Sequence, residues 1–410
     1  MTGLFLGAGA SFEAGLPLVW DLTNELRNWL SKEKLLWINA NMRISGNGWP
    51  DEVIEEFSVV LLNRNMHYES LLGFLETHYQ QTGPFQQKYF ELYGFLIELV
   101  GYLLYLRHSI NGAYITEGLR YIDGVIGLAE TELPLWIFSL NHDVVIECLA
   151  AEYQIPISCG FTAKSALHLR DARGASLGEL PIETLVKADL DSGSLTFIPN
   201  GSRGINLLKI HGALNVFTYN DSKDVMRLIP DASNAAEVLD GLTNCQEHIR
   251  LLNPHSGLPV KLKTPNEVVY TNAENGIEIF RRSLLAGAFK FDARRSQTLP
   301  QVYLKLVAAY LNEVSSLICI GYSFGDDHIN LVIRDWLEFA RNRHLTAVSP
   351  QVKAVPPPFL HLSPQVTITN ATATAYLEHF SPRLLSDAEK RRRDERASQR
   401  DEKRSEDGFA

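Results

Sequence analysis

Four short apolar segments of this chain each end in a glycine-rich or polar motif. Apolar runs of this length, bounded by turn residues, are typical of buried strands. In an open α/β sheet the carboxyl ends of the parallel strands meet at one edge, where ligands bind. The pattern therefore predicts an α/β fold with a Rossmann-like parallel sheet and one ligand site formed by all four motifs. The segments are 2–6, 135–140, 205–210 and 317–320, followed by GAGAS, NHD, HG and GYSFGDD.

The stretch from 51 to about 130 has helical spacing of its apolar residues and few Gly or Pro breaks. It predicts a helical subdomain inserted after the first strand and helix. We interpret 160–204 as loops with small strands, and 218–265 as an insertion over the sheet. Residues 317–320 are the last clear strand that the pattern indicates.

The domain organisation that we predict has three parts. Residues 1–345 form the ligand-binding domain, and 346–385 form a C-terminal strand and helix extension. The tail from 386 to 410 carries eight basic and eight acidic residues. Such a composition is typical of a solvated helix or a disordered segment.

Charge and composition exclude several classes of function. Lys and Arg total 38 against 48 Asp and Glu, a net charge of −10, which disfavours a protein that binds nucleic acid over its whole surface. The longest apolar stretch, 95–106, is shorter than the roughly 20 residues that cross a bilayer, so we expect no membrane span. The four cysteines form no C-x-x-C pair. They favour neither a disulfide framework nor a zinc module, and we expect a cytoplasmic protein.

The first motif is suited to phosphate binding. Gly7, Ala8, Gly9 and Ser11 form a turn that leads into a helix start, where backbone amides attract negative charge. The full G-x-G-x-x-G pattern is incomplete, because Phe12 occupies the third glycine position, and no strand ending in Asp or Glu follows about 20 residues later. A tight turn without a ligand is the alternative.

Three further side chains are candidates for chemistry. Asn141 and Asp143 lie two residues apart at a strand end, so both can face one ligand. His211 precedes a glycine, and a histidine titrates near neutrality as a general base does. Taken alone, Asn141 is better explained as a turn residue and Asp143 as a helix cap. Gly321 and Ser323 form a second glycine-bearing turn fit for a ribose or a phosphate.

Together the four motifs resemble the sirtuin-like domains of bacterial antiphage defence. The stretches that carry the resemblance are GAGASFEAGLP, LNHD, KIHGALN and GYSFGDDHIN, in this order along most of the chain. The resemblance implies that the turn at 7–11 binds the pyrophosphate of NAD and that Asn141 and Asp143 surround the nicotinamide riboside. It also implies that His211 is the catalytic histidine and that the turn at 321–323 holds the adenosine side.

Two departures from deacylase sirtuins bear on the reaction. The zinc-binding C-x-x-C pairs are missing, and so is the Asp-Phe-Arg segment that follows their glycine turn. Both favour water over an acyl-lysine as the acceptor. The expected reaction is hydrolysis of NAD to nicotinamide and ADP-ribose, with no metal required. The alternatives are an NAD-dependent protein deacylase, a non-catalytic module that binds NAD or an ADP-ribose derivative, and a structural subunit.

The resemblance also implies partners. An enzyme that depletes NAD in abortive infection requires control, and about 70 residues after the last motif are few for a sensor domain. We therefore expect a separately encoded partner, such as a HerA-type ATPase or an Argonaute-like protein. A homo-oligomer is expected as well, with the helical block at 51–130 as its candidate interface. Direct binding of nucleic acid or membrane is not indicated.

Overall fold

The fold is taken from a computed structural model of the chain. The structure describes seven stretches of it: 1–170, 176–221, 223–229, 232–255, 267–271, 277–284 and 302–406.

Thirteen strands and fifteen α-helices occur in the described residues. The strands are β1 Thr2–Leu6, β2 Leu135–Ser139, β3 Ile157–Ser158, β4 Ala163–Arg170, β5 Ser176–Leu185, β6 Ile205–Lys209, β7 Val216–Tyr219, β8 Asp224–Leu228, β9 Glu267–Thr271, β10 Ile277–Arg282, β11 Ser316–Ile320, β12 His344–Val348 and β13 Val366–Thr369. The helices are α1 Gly9–Phe12, α2 Val19–Trp29, α3 Lys32–Ile44, α4 Asp51–Leu62, α5 Tyr68–Gln80, α6 Gln86–Ile110, α7 Gly112–Gly118, α8 Gly124–Thr131, α9 Val145–Glu152, α10 Lys187–Ser192, α11 Ala235–His255, α12 Val302–Tyr310, α13 Asp327–Phe339, α14 Ala373–Leu377 and α15 Asp387–Glu406.

The main sheet has seven strands in the order β13-β12-β11-β1-β2-β6-β3. Every pairing in it is parallel. Strands β2 and β6 are buried along their whole length, because helices cover both faces of a parallel sheet. The predicted α/β, Rossmann-like class is confirmed.

The strand order places a topological switch point between β1 and β11. From β1 the chain continues to β2 and then to β6 and β3 on one side, and returns later to β11 on the other side. The register aligns the ends of four neighbouring strands. Leu6 pairs with Ser139 and Ile320, and Ser139 pairs with Lys209. All four predicted motifs therefore begin at the same level of one sheet edge.

A block of helices, α2 to α8, separates β1 from β2 in the chain. The predicted helical insertion from 51 to about 130 corresponds to α4 through α8. Its apolar residues, such as Phe57, Leu71 and Leu92, belong to the same buried cluster as the strands of the main sheet. Helix α6 is long and apolar enough to cross a membrane by length and composition, yet 56% of its most apolar window is buried inside the protein, as in a core helix.

A second sheet, which the sequence did not predict, follows. Its six strands are antiparallel in the order β4-β5-β8-β7-β10-β9, with a small apolar core of its own. The interpretation of 160–204 as loops with small strands was wrong for the long hairpin of β4 and β5. Most of β4 is exposed, and Leu167 is its buried contact with the core. The sequence of β4 therefore has no continuous apolar run that would indicate a strand.

The C-terminal part continues the main sheet. Strands β12 and β13 extend it beyond β11, so 317–320 is not the last strand. Of the two forms expected for the tail, the structure shows a helix, α15. The boundaries predicted at 345 and 385 stay predictions. All four cysteines are buried and free.

Candidate functional site

The glycine turns after β1 and β11 pack against each other without side chains between them. A Cβ on Gly9 would lie 2.7 Å from the Cα of Gly321. A Cβ on Gly7 would lie 2.6 Å from the carbonyl oxygen of Gly321. Gly321 has a φ of +65°, a conformation that favours glycine. Close approach of two backbones at the switch point explains these glycines directly.

Most amides of the first turn donate within the protein. The amide of Gly7 donates to Ile320 O at 3.0 Å, and that of Gly9 donates to Gly321 O at the same distance. Ala10 N donates to the carbonyl of Gly7, and Ser11 N to that of Ala8. The turn is therefore a rigid joint between β1 and β11. A pyrophosphate bound there would accept from the amide of Ala8, or the other amides would have to give up these internal hydrogen bonds to donate to it.

Asn141 fixes the first turn from the neighbouring strand. Its Nδ2 donates to Gly7 O at 2.9 Å and to Ser11 Oγ at 3.0 Å. Both N–H groups of the amide are thus engaged, which leaves the amide oxygen for a ligand. Residues 134 positions apart along the chain are brought together here.

Asp143 lies at the start of α9, where the structure places three supporting groups. Its Oδ1 accepts a hydrogen bond from Val145 N at 3.0 Å, as a cap does. Lys209, buried at the end of β6, donates from Nζ to the Asp143 carbonyl. His108 of α6 accepts from Val144 N through Nε2 at 3.3 Å. Burial lowers the pKa of His108, although the negative charge of Asp143 opposes that shift.

The turns carrying Asp143 and His211 are joined to each other. Leu214 N donates to the carbonyl of His142 at 3.0 Å, and His142 Nδ1 lies 3.4 Å from Gly212 O. Gly212 has a φ of +76°, and a Cβ there would lie 2.0 Å from Ser283 O. A glycine is required at this position because the second sheet ends against the turn.

His211 contacts a second histidine. Its Nε2 lies 3.2 Å from Nε2 of His328, which stands in the first turn of α13. Asp326 completes a group of three side chains whose ligand atoms all lie within 4.8 Å of one another. The charge of Asp326 also acts on Tyr68 and Tyr322, whose pKa values are raised mainly by burial.

The candidate side chains differ in exposure. His211 is 3% exposed and Asn141 is 9% exposed, whereas Ser323 is exposed at the edge of the sheet. A cleft of about 370 Å³ lies among α9, α11 and the end of β8, and includes Glu147 and Asn215. Neither Asn141 nor His211 lines it.

Sequence reasoning missed four residues that the structure adds to the site. Lys209 and His108 support the turn of Asp143, and Asp326 and His328 contact or face His211. Asp326 and His328 lie in the stretch GYSFGDDHIN, where an aspartate before a helix is typical of an N-terminal cap and does not by itself indicate a ligand. His108 gave no signal, because one histidine on a long apolar helix is typical of a core residue.

Neither protein-family models nor curated proteins match this sequence. Among solved structures, a Sir2 homologue in complex with NAD is 11% identical, with a TM-score of 0.38 over 93% of this chain and 87% of that chain. Mutants of a Sir2 homologue with 2'-O-acetyl ADP-ribose and with ADP-ribose are both 12% identical, with TM-scores of 0.37 and 0.35. Each of these two matches covers 93% of this chain and 90% of the matched Sir2 homologue chain. TM-scores below 0.5 do not establish a shared fold, and these likenesses carry no conclusion about function.

Proposed function

We propose that the protein hydrolyses NAD at the bond between nicotinamide and ribose. The observation that carries the proposal is the connection of four motif turns at one sheet edge. Asn141 holds the first glycine turn, the turn of Asp143 is bonded to that of His211, and Gly9 is bonded to Gly321. Ligands of open α/β sheets bind at this edge, beside the switch point.

The reaction needs little covalent help from the protein. The glycosidic C–N bond breaks with its electron pair going to the nicotinamide nitrogen, which becomes neutral, while positive charge develops on the ribose carbon. A water oxygen forms the new bond to that carbon and loses a proton. Groups that stabilise the developing charge and accept the proton lower the barrier.

Each residue then has a role suited to its geometry. His211 accepts the proton of water or of a ribose hydroxyl, a contribution that is typically worth about 10²–10⁴-fold in rate. The carboxylate of Asp143 stabilises the positive charge or binds the carboxamide. Asn141 positions the glycine turn and offers its amide oxygen to water or the ribose. Gly7, Ala8, Gly9 and Ser11 face the pyrophosphate, and Gly321 and Ser323 the adenosine side.

The test is incubation of the full-length protein with NAD, alone and together with each candidate partner, with the products separated by chromatography. Nicotinamide and ADP-ribose are expected in equal amounts. His211→Ala is expected to reduce turnover by at least about 100-fold. His344→Ala is the matched control, since this partly exposed histidine bonds Thr367 on the main sheet, away from the predicted motifs.

The other outcomes separate the alternatives. Saturable binding of NAD without release of nicotinamide would indicate a non-catalytic binding module. Nicotinamide release that requires an acetylated peptide would indicate a deacylase. Turnover of His211→Ala at the wild-type rate would contradict the role of His211 even if hydrolysis occurs.

The cellular role proposed here follows from the resemblance of the motifs. An NAD hydrolase of this kind would deplete NAD during phage infection, as a homo-oligomer controlled by a HerA-type ATPase or an Argonaute-like protein. The partner is expected because an enzyme that depletes NAD requires control. Mass measurement in solution, with and without each partner, tests this proposal, and a monomer under all conditions would contradict it.

A further inference from the structure

The described part of the chain contains one group of three side chains that could bind a metal ion together. It consists of His211, Asp326 and His328. They follow two different strands, β6 and β11, which are separated in the sheet by β1 and β2. Two imidazoles and one carboxylate are a ligand set that divalent transition metals use. We infer that these residues bind a divalent transition metal ion such as Zn²⁺.

The distance between the two imidazoles suits metal binding. In a tetrahedral zinc site with Zn–N bonds of about 2.0–2.1 Å, two ligand nitrogens lie about 3.4 Å apart. The two Nε2 atoms lie 3.2 Å apart. An ion to one side of the line that joins the two nitrogens can lie about 2.0–2.1 Å from both, once each ring is in the tautomer that leaves Nε2 unprotonated.

The carboxylate of Asp326 can complete the site with a modest shift. All three ligand atoms lie within 4.8 Å of one another, somewhat wider than a closed zinc site. Asp326 directly precedes α13. Because its side chain is partly exposed, it can move toward the ion without disturbing the core.

The ion has a route to the site. His211 is buried, whereas Asp326 and His328 are both partly exposed. Metal therefore enters from the solvent side of α13 and meets His328 before His211. Three protein ligands leave one tetrahedral position for water, as in open zinc sites.

Metal binding at this site opposes the proposed reaction. A nitrogen of His211 that coordinates an ion cannot accept a proton, so the occupied protein is inactive and removal of metal activates it. This consequence rests on the proposed function, whereas binding of the ion does not. The site would thus make NAD hydrolysis sensitive to the concentration of free metal.

The experiment uses the full-length protein, freed of metal with a chelator and titrated with Co²⁺. Co²⁺ in a tetrahedral N/O site absorbs in the visible, and Zn²⁺ displaces it without absorbing because its d shell is full. Saturable absorption at one Co²⁺ per chain is expected. His328→Gln and Asp326→Asn are each expected to weaken binding at least about 10-fold. His361→Gln is the matched control, because this exposed histidine also pairs with a carboxylate, that of Glu338.

The results separate the metal site from the proposed function. Absence of visible absorption in the wild type, or undiminished absorption in folded His328→Gln, would overturn the site and leave a hydrogen-bonded histidine pair. Circular dichroism of each variant checks that it is folded. If Co²⁺ binds but the protein never hydrolyses NAD, the metal site stands and the proposed function fails. If both hold, Zn²⁺ inhibits hydrolysis and a chelator restores it.

Discussion

His108 lies on an apolar helix, yet it accepts a hydrogen bond from the turn that carries Asp143. Its Nδ1 lies 2.7 Å from Leu104 O, so Nδ1 donates and Nε2 accepts, as in a neutral imidazole. Lys209 is close enough to disfavour a second positive charge, while Asp143 and Glu147 favour it. Burial is the largest effect, and it lowers the pKa of His108 below the ordinary value of 6.5.

The lowered pKa predicts a loss of stability in mild acid. The unfolded chain binds a proton near pH 6.5 and the folded protein does so only at lower pH, so the free energy of unfolding falls as the pH drops below 6.5. The slope reaches about 1.4 kcal/mol per pH unit until the folded-state pKa is reached. Above pH 6.5 the contribution of His108 is fully present.

The measurement is urea denaturation of the wild type and of His108→Gln above and below pH 6.5. Glutamine can still accept from Val144 N but does not titrate, so its stability is expected to depend less steeply on pH. His344→Gln, at a partly exposed position, should follow the wild type. Equal slopes for wild type and His108→Gln would show that His108 is not the titrating group.

At the scale of single elements, the two glycine turns form a joint between β1 and β11. Gly9→Ala introduces a methyl group 2.7 Å from the Cα of Gly321, against backbone that cannot rotate away. Overpacking of this kind typically costs about 1–3 kcal/mol. A lowered free energy of unfolding is therefore expected, measured by denaturant titration. In Gly83→Ala, where nothing lies within 4 Å of the new methyl group, the change should be much smaller.

The same elements show why parts of the fold could be predicted. Strands such as β2 and β6 are buried on both faces, so their sequences are continuous apolar runs that end in a turn motif. Strand β13 is buried at one residue only and lies at the sheet edge, and β4 is mostly exposed. Their sequences had no reason to be apolar, so β4 escaped prediction and β13 was expected only as an unplaced strand of the extension at 346–385.

The candidate site was predictable only in part, for a related reason. Asn141, Asp143 and His211 follow strand ends, where polar residues stand out against apolar runs. The contacts of Asn141 with Ser11 and of His211 with His328 join residues more than a hundred positions apart. Such pairings depend on strand order, which one sequence does not reveal.

At the scale of the whole molecule, the C-terminus is joined to the segment after the first glycine turn. Thr374 of α14 donates from N and from Oγ1 to the carboxylate of Glu13, both at 2.9 Å. On α15, arginines at i, i+4 and i+8 face the body of the protein. Arg396 donates to Tyr114 O, Arg400 to Leu16 O and Arg404 to Asp21 Oδ1. Residues 12–16 are therefore fixed from two sides by the end of the chain.

The contacts of Arg400 predict how strongly α15 stabilises residues 12–16. Its guanidinium lies 4.4 Å from the ring centre of Phe12 and bonds the Leu16 carbonyl at 2.7 Å. A charge-assisted hydrogen bond and a cation–π contact together contribute roughly 2 kcal/mol. Arg400→Ala is expected to speed amide hydrogen exchange in 9–18 by about 10-fold or more, because the free energy of local opening falls when these contacts are lost. Arg392→Ala, on the exposed face of α15, should leave the exchange unchanged. If exchange in 9–18 is the same in both variants, α15 does not hold the segment, and access to the glycine turn is controlled elsewhere in the protein.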